Sequence, residues 1–148
     1  VSVTVPYGLM RPLQVFNPRT GMEAKFCAAY TIAVALVHGR VSLCDFEDAA
    51  VTRARIRQVM SRIKLIEEPL QGEMPIGIDH GSVHLIIQLG QVTLADSKIS
   101  HYPGSPAQPV TEAEMQTKIT DCLSQYRLGA KHGPTSEDFC NNLRRLTM

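Results

Sequence analysis

Four side chains between Arg19 and Lys25 could do chemistry together: the Arg19 guanidinium, the Thr20 hydroxyl, the Glu23 carboxylate and the Lys25 ammonium, set directly ahead of a long apolar run. Free N–H donors and about half a positive charge gather at a helix start, so cations flanking one suit a carboxylate or phosphate. Arg19, Thr20 and Lys25 are therefore the candidate binding residues. The same stretch also reads as a helix start and nothing more. Thr20-x-x-Glu23 has capping-box spacing, Glu23 offsets one positive charge, and Lys25 can lay its stem along a buried helix. Both readings stand on the residues alone.

The other polar groups offer less. None of the five histidines, His38, His80, His84, His101 and His132, stands beside a serine or cysteine in a nucleophile motif. His80 and His84 are four apart, but Gly81 and the strand pattern after it argue against a helical metal pair, so no metal is expected. Asp79 and His80 point apart in an extended chain and read as structural or solvent-facing. Arg53, Arg55 and Arg57 read as the solvated face of a helix. Phosphate loops of the G-x-x-x-x-G-K-S/T or G-x-G-x-x-G type are absent, which removes most support for a nucleotide. Cys27, Cys44, Cys122 and Cys140 lie far apart without C-x-x-C spacing, so reduced, buried thiols are expected. No residue identifies itself as catalytic.

The chain that must position these groups has 148 residues, 44% hydrophobic and 20% charged, enough for one globular domain with its own core. Lys+Arg 15 against Asp+Glu 14 gives no bulk positive field for nucleic acid or an anionic membrane, so any anion site is local. The apolar run from Phe26 to Val37 is too short to cross a bilayer, and the start lacks a signal-peptide pattern. A cytoplasmic location, with neither nucleic acid nor membrane as partner, is the expectation. The first residue is Val1 rather than Met, and a strand pattern begins there at once, which predicts a fragment or a processed chain.

Val1, Val3 and Val5 alternate with Ser2 and Thr4 as in a half-buried strand, ended by Pro6 and Gly8. After a loop to Arg19, the capping box opens one helix, apolar nearly all round, which runs to His38 and the glycine cap at Gly39. That spacing predicts a buried central helix. Ile56, Val59, Met60 and Ile63 predict a second helix from about Thr52 to Ser61, and Arg62 to Pro69 a strand. Residues 70–82 read as loop; Val83 to Leu89 and Val92 onward form a hairpin about Gly90-Gln91. A proline-rich crossing leads to a helix capped by Thr111-x-x-Glu114 and extending to about Tyr126, and a last helix starts near Ser136 and runs toward Leu146. The order describes an α+β domain with a small, mainly antiparallel sheet and about four helices.

The stretch "NPRTGMEAKFCAAYTIAVALVHGRVSLCDF" resembles the region of the MmgE/PrpD family in which a proline-x-threonine segment leads to E-A-K-F-S and a tyrosine-containing apolar helix ending in G-R-V. "VTRARIRQVMSRIKLIEE" is similar to that family's helix-then-strand segment, and "YPGSPAQPVTEAEMQTKI" to its G-x-P-x-x-P crossing into a helix. The three motifs come in the family's order and span nearly the whole chain. The family includes 2-methylcitrate dehydratase, cis-aconitate decarboxylase and iminodisuccinate epimerase, which act on small polycarboxylic acids without a nucleotide cofactor.

The resemblance implies the family's smaller α+β lid, here residues 1–148, without the helical N-terminal domain that precedes it in these enzymes. It implies that domain as a partner, a homodimeric parent lyase or isomerase, a di- or tricarboxylic acid as substrate and no cofactor. It also implies that this chain alone is inactive, because the family's lysine and histidine motif ahead of the lid's first strand is not within it. Cys27 stands where the family usually has serine, and Thr52 where an aspartate is common. The rival reading is a stand-alone small-anion-binding or protein-interaction module without catalysis.

Overall fold

The computed structural model describes residues 1–70 and 81–127. The last expected helix, Asp79 with His80, His132 and Cys140 lie outside them. The described chain divides into two compact units: Val1–Val41 with Asp45–Tyr102, and Ser42–Cys44 with the described residues from Pro103 onward.

In the first unit the alternating valines form β1 (Ser2–Val5), with Val3 and Val5 buried. Glu67 closes the turn after it, its Oε1 accepting the Gly8 N–H at 2.8 Å. The expected single helix is two: α1 (Gly21–Lys25) and α2 (Ala28–His38). The break has a visible cause. The Phe26 carbonyl accepts the Val15 N–H at 3.2 Å, the N–H groups of Phe26 and Cys27 turn back three residues, and Cys27 takes an extended conformation as the N-cap of α2. The loop strand beside the helix thus competes for the helix's own ladder. Gly39, at φ 73°, ends α2 in the left-handed region, donating its N–H to the Ala35 carbonyl at 2.9 Å.

A 3-10 turn (Leu43–Phe46) precedes α3 (Asp48–Val51) and α4 (Ala54–Met60). Helix α2 packs along α4, and Ala24, Cys27, Tyr30, Ala33, Val34, Val51 and Ile56 form the buried cluster between the helices. Tyr30, Ala33 and Val34 make α2 the buried central helix. After α4 come β2 (Lys64–Glu67) and the hairpin of β3 (Val83–Leu89) and β4 (Val92–Ile99). The sheet order is β2-β1-β3-β4: β1 runs parallel to β2 and antiparallel to β3, which is antiparallel to β4. Val3 pairs with Leu65 on one side and Leu85 on the other, an apolar row across three strands. The register slips between Ile87 and Gln88, which leaves Leu94 as the extra residue of a bulge.

In the second unit a tight turn joins Ser105 to Gln108, and α5 (Glu112–Arg127) follows. Its capping box forms as the spacing predicts: the Glu114 carboxylate accepts from the Thr111 N–H and hydroxyl at 2.8 Å each, and these bonds hold the Glu114 pKa below its ordinary value. The architecture is α+β with a mixed, mainly antiparallel sheet. Among the described residues no helix is long and apolar enough to cross a membrane.

Candidate functional site

The start of α1 is held by a dense set of hydrogen bonds. The Thr20 hydroxyl oxygen accepts the Glu23 N–H at 3.3 Å, while the Glu23 carboxylate accepts the N–H of Thr20 at 3.3 Å and of Arg19 at 2.6 Å. The Gly21 N–H donates to Asp48 Oδ1 at 2.7 Å. Gly21 is also where chain meets chain, since a Cβ there would overlap the Phe46 carbonyl oxygen. From the other side Arg57 donates to the Pro18 carbonyl at 2.9 Å and to the Asn17 side-chain oxygen.

One consequence bears on anion binding. The protein's own oxygens already occupy the backbone N–H donors of Arg19, Thr20, Gly21 and Glu23, and α1 is only five residues long. Anion affinity at this edge therefore rests on side chains. Arg19, Thr20 and Lys25 are all exposed, and neither the Arg19 guanidinium nor the Lys25 ammonium has an ion-pair partner among the described residues.

The reading of three arginines as a solvated face is corrected at Arg57, which is half-buried against the Asn17–Pro18 loop. Arg53 and Arg55 are exposed as expected, and Arg53 also reaches Asp45 Oδ1 at 3.8 Å. Asp45 is the centre of a cluster that spacing did not reveal. Its carboxylate is buried, 4% exposed, and takes His38 Nδ1 at 3.0 Å, while its backbone carbonyl accepts the Tyr30 hydroxyl proton. The sequence carried one faint signal, an acid set among Leu43, Cys44 and Phe46 just after the glycine that reverses the chain. Asp45 directly precedes Phe46, whose carbonyl meets Gly21 at the start of α1.

Burial dominates two further titrations. It pushes the Tyr30 hydroxyl pKa up, helped by the negative Asp45 and opposed by Arg53. It likewise raises the Cys27 thiol, although the nearby N–H groups of Tyr30 and Ala29 and the charge of Arg57 pull the other way. The expectation of buried thiols holds for Cys27 but not for Cys44 and Cys122, which are exposed free thiols. Cys44 lies in the 3-10 turn, and Cys122 is on an exposed face of α5.

His84 stands in β3, its Nε2 2.7 Å from Asp96 Oδ1 on the neighbouring strand, in an exposed pair. No group of three or more His, Cys, Asp or Glu side chains that could hold a metal ion occurs among the described residues. A cavity of about 320 Å³, lined by Pro6, Leu9, Val83, Ile99 and Tyr102 among others, is mainly apolar and includes none of Arg19, Thr20 and Lys25.

No curated protein is significantly similar to the chain. The family model for the MmgE/PrpD C-terminal domain matches residues 1–134, a span that includes the capped α1 edge, the Asp45 cluster and the whole sheet. A match over that much of the sequence settles the relationship: the chain belongs to the MmgE/PrpD family, as its C-terminal domain.

Proposed function

We propose that the chain is the C-terminal domain of a cofactor-free lyase or isomerase acting on a small di- or tricarboxylic acid, and that Arg19, Thr20 and Lys25 line a positive edge facing the substrate. The observation that carries this reading is the pair of exposed cations that, among the described residues, have no acidic partner and flank a helix start held by several hydrogen bonds. Unpaired cations on a fixed scaffold lose little freedom when a carboxylate arrives, which favours binding. A preceding helical domain, as the family match implies, would supply the rest of the site, and the chain alone would be inactive.

The test compares variants of the full-length protein on a panel that includes 2-methylcitrate and cis-aconitate. If Lys25 meets a partly desolvated substrate carboxylate, Lys25→Ala removes a charge-assisted bond worth about 1.5–3 kcal/mol, roughly a tenfold to hundredfold loss in kcat/KM. Thr20→Ala is the control, costing about 1 kcal/mol of stability through the lost cap whichever reading holds. Unchanged kinetics in Lys25→Ala, with Thr20→Ala destabilised as expected, return the stretch to a helix start. Measurable turnover by the isolated chain would contradict the need for a partner domain.

A further inference from the structure

We infer that His38 is an acid–base side chain of this domain, with Asp45 as its positioning residue, exchanging a proton with a carbon or oxygen acid of the polycarboxylate class proposed above. The substrate class rests on that proposal; the geometry does not. An ionised carboxylate has no proton to give, so the 3.0 Å contact to Asp45 Oδ1 requires the imidazole to carry its proton on Nδ1. Arg53, 3.8 Å from the same oxygen, favours the ionised carboxylate, and the Tyr30 hydroxyl fixes the Asp45 peptide. The acceptor that orients the ring is thus itself held from two sides, by Arg53 and by Tyr30.

What remains free is Nε2. The His38 side chain is 33% exposed, and Nε2 has no partner among the described residues. Ending α2 does not call for this arrangement, because the left-handed Gly39 and its bond to Ala35 already do so. A buried carboxylate costs much to desolvate, more than a cap returns, and a ring of fixed tautomer with an open nitrogen is the arrangement proton transfer requires. Asp45 has one link to the α1 start: its neighbour Phe46 abuts Gly21, whose N–H donates to Asp48.

In the proton step neutral Nε2 takes a proton from the carbon beside a carboxylate. The C–H bond breaks, its electron pair stays with the substrate as the enolate, the N–H bond forms, and Asp45 balances the imidazolium. The proton then returns to the product or to a departing oxygen.

Imidazole nitrogen NMR of the full chain reads the tautomer directly. A proton on Nδ1 in the wild type that is lost or redistributed in Asp45→Asn is the expected result, and a proton on Nε2 in the wild type overturns the inference. In the full-length enzyme His38→Gln should lower kcat at least roughly a hundredfold with KM changed less than about threefold, and should remove one limb of the kcat pH profile. Asp45→Asn should lower kcat tenfold or more by about the same logic, with partial rescue in Asp45→Glu. If Asp45→Asn does not fold, His38→Gln on its half-exposed ring still decides; kcat within twofold of wild type in that variant overturns the inference. A wild type that turns over none of the acids sinks the function proposed above, and the tautomer alone then decides this one.

Discussion

Three cysteines in the described chain differ in a way that chemistry can read. Cys27 is 1% exposed and its thiol pKa is raised, whereas Cys44 and Cys122 are open to solvent. Because the thiolate is the nucleophile, a raised pKa leaves Cys27 a smaller reactive fraction at about pH 8 than an ordinary thiol has, and burial hides even that fraction. Iodoacetamide followed by mass spectrometry should label Cys44 and Cys122 at least about ten times faster than Cys27, the gap narrowing as pH rises. Equal rates would show that the core around Cys27 opens readily. At this scale the Thr20–Glu23 box was legible, since both partners lie within four residues. The partners of Asp45 were not: Gly39 turns the chain back, and only the fold brings His38 and Arg53 to it. The burial of Arg57 is hidden for a related reason: helical spacing shows which face a side chain is on but not that a loop lies across that face.

Among the elements, the positions of helices and strands followed from apolar period and turn residues, and the hairpin and α5 came out where alternation and capping placed them. Two features depended on partners distant in sequence. The helix from Thr20 onward is split because Val15 captures a carbonyl at Phe26, and β2 runs parallel to β1, a pairing that no local pattern encodes. The split leaves α1 short and wedged, which makes Gly21 critical. Gly21→Ala would drive a methyl group into the Phe46 backbone, so a loss of about 2–4 kcal/mol is expected. Gly39→Ala meets no atom within 4 Å and costs only the left-handed backbone, about 1–2 kcal/mol. Urea denaturation of the two variants checks the ranking, and a smaller loss for Gly21→Ala would mean that the α1 start is looser than its hydrogen bonds suggest.

At the scale of the whole molecule, apolar surface is left uncovered among the described residues. At the hairpin tip Leu89 and Val92, a cross-strand pair, are 70% and 60% exposed, and the bulged Leu94 is 61% exposed. A cluster of this kind is unusual on a free-standing monomer. The chain by itself should therefore bind apolar dyes and self-associate as its concentration rises, and replacing the three residues by threonine should suppress both while changing stability by less than about 1 kcal/mol. Sedimentation showing a compact monomer at all concentrations would point instead to a free-standing module. The sheet order has a further consequence, for synthesis. The strand made first lies second in the sheet, between β2 and β3, so Ser2 waits for Lys64 and then for Ile86. The helical cluster, whose partners all fall between Val15 and Ile63, can close on the ribosome while β1 still has both edges bare. During that interval the nascent chain carries an unpaired apolar strand, open to any other strand it meets, and slower translation through residues 64–89 lengthens the exposure.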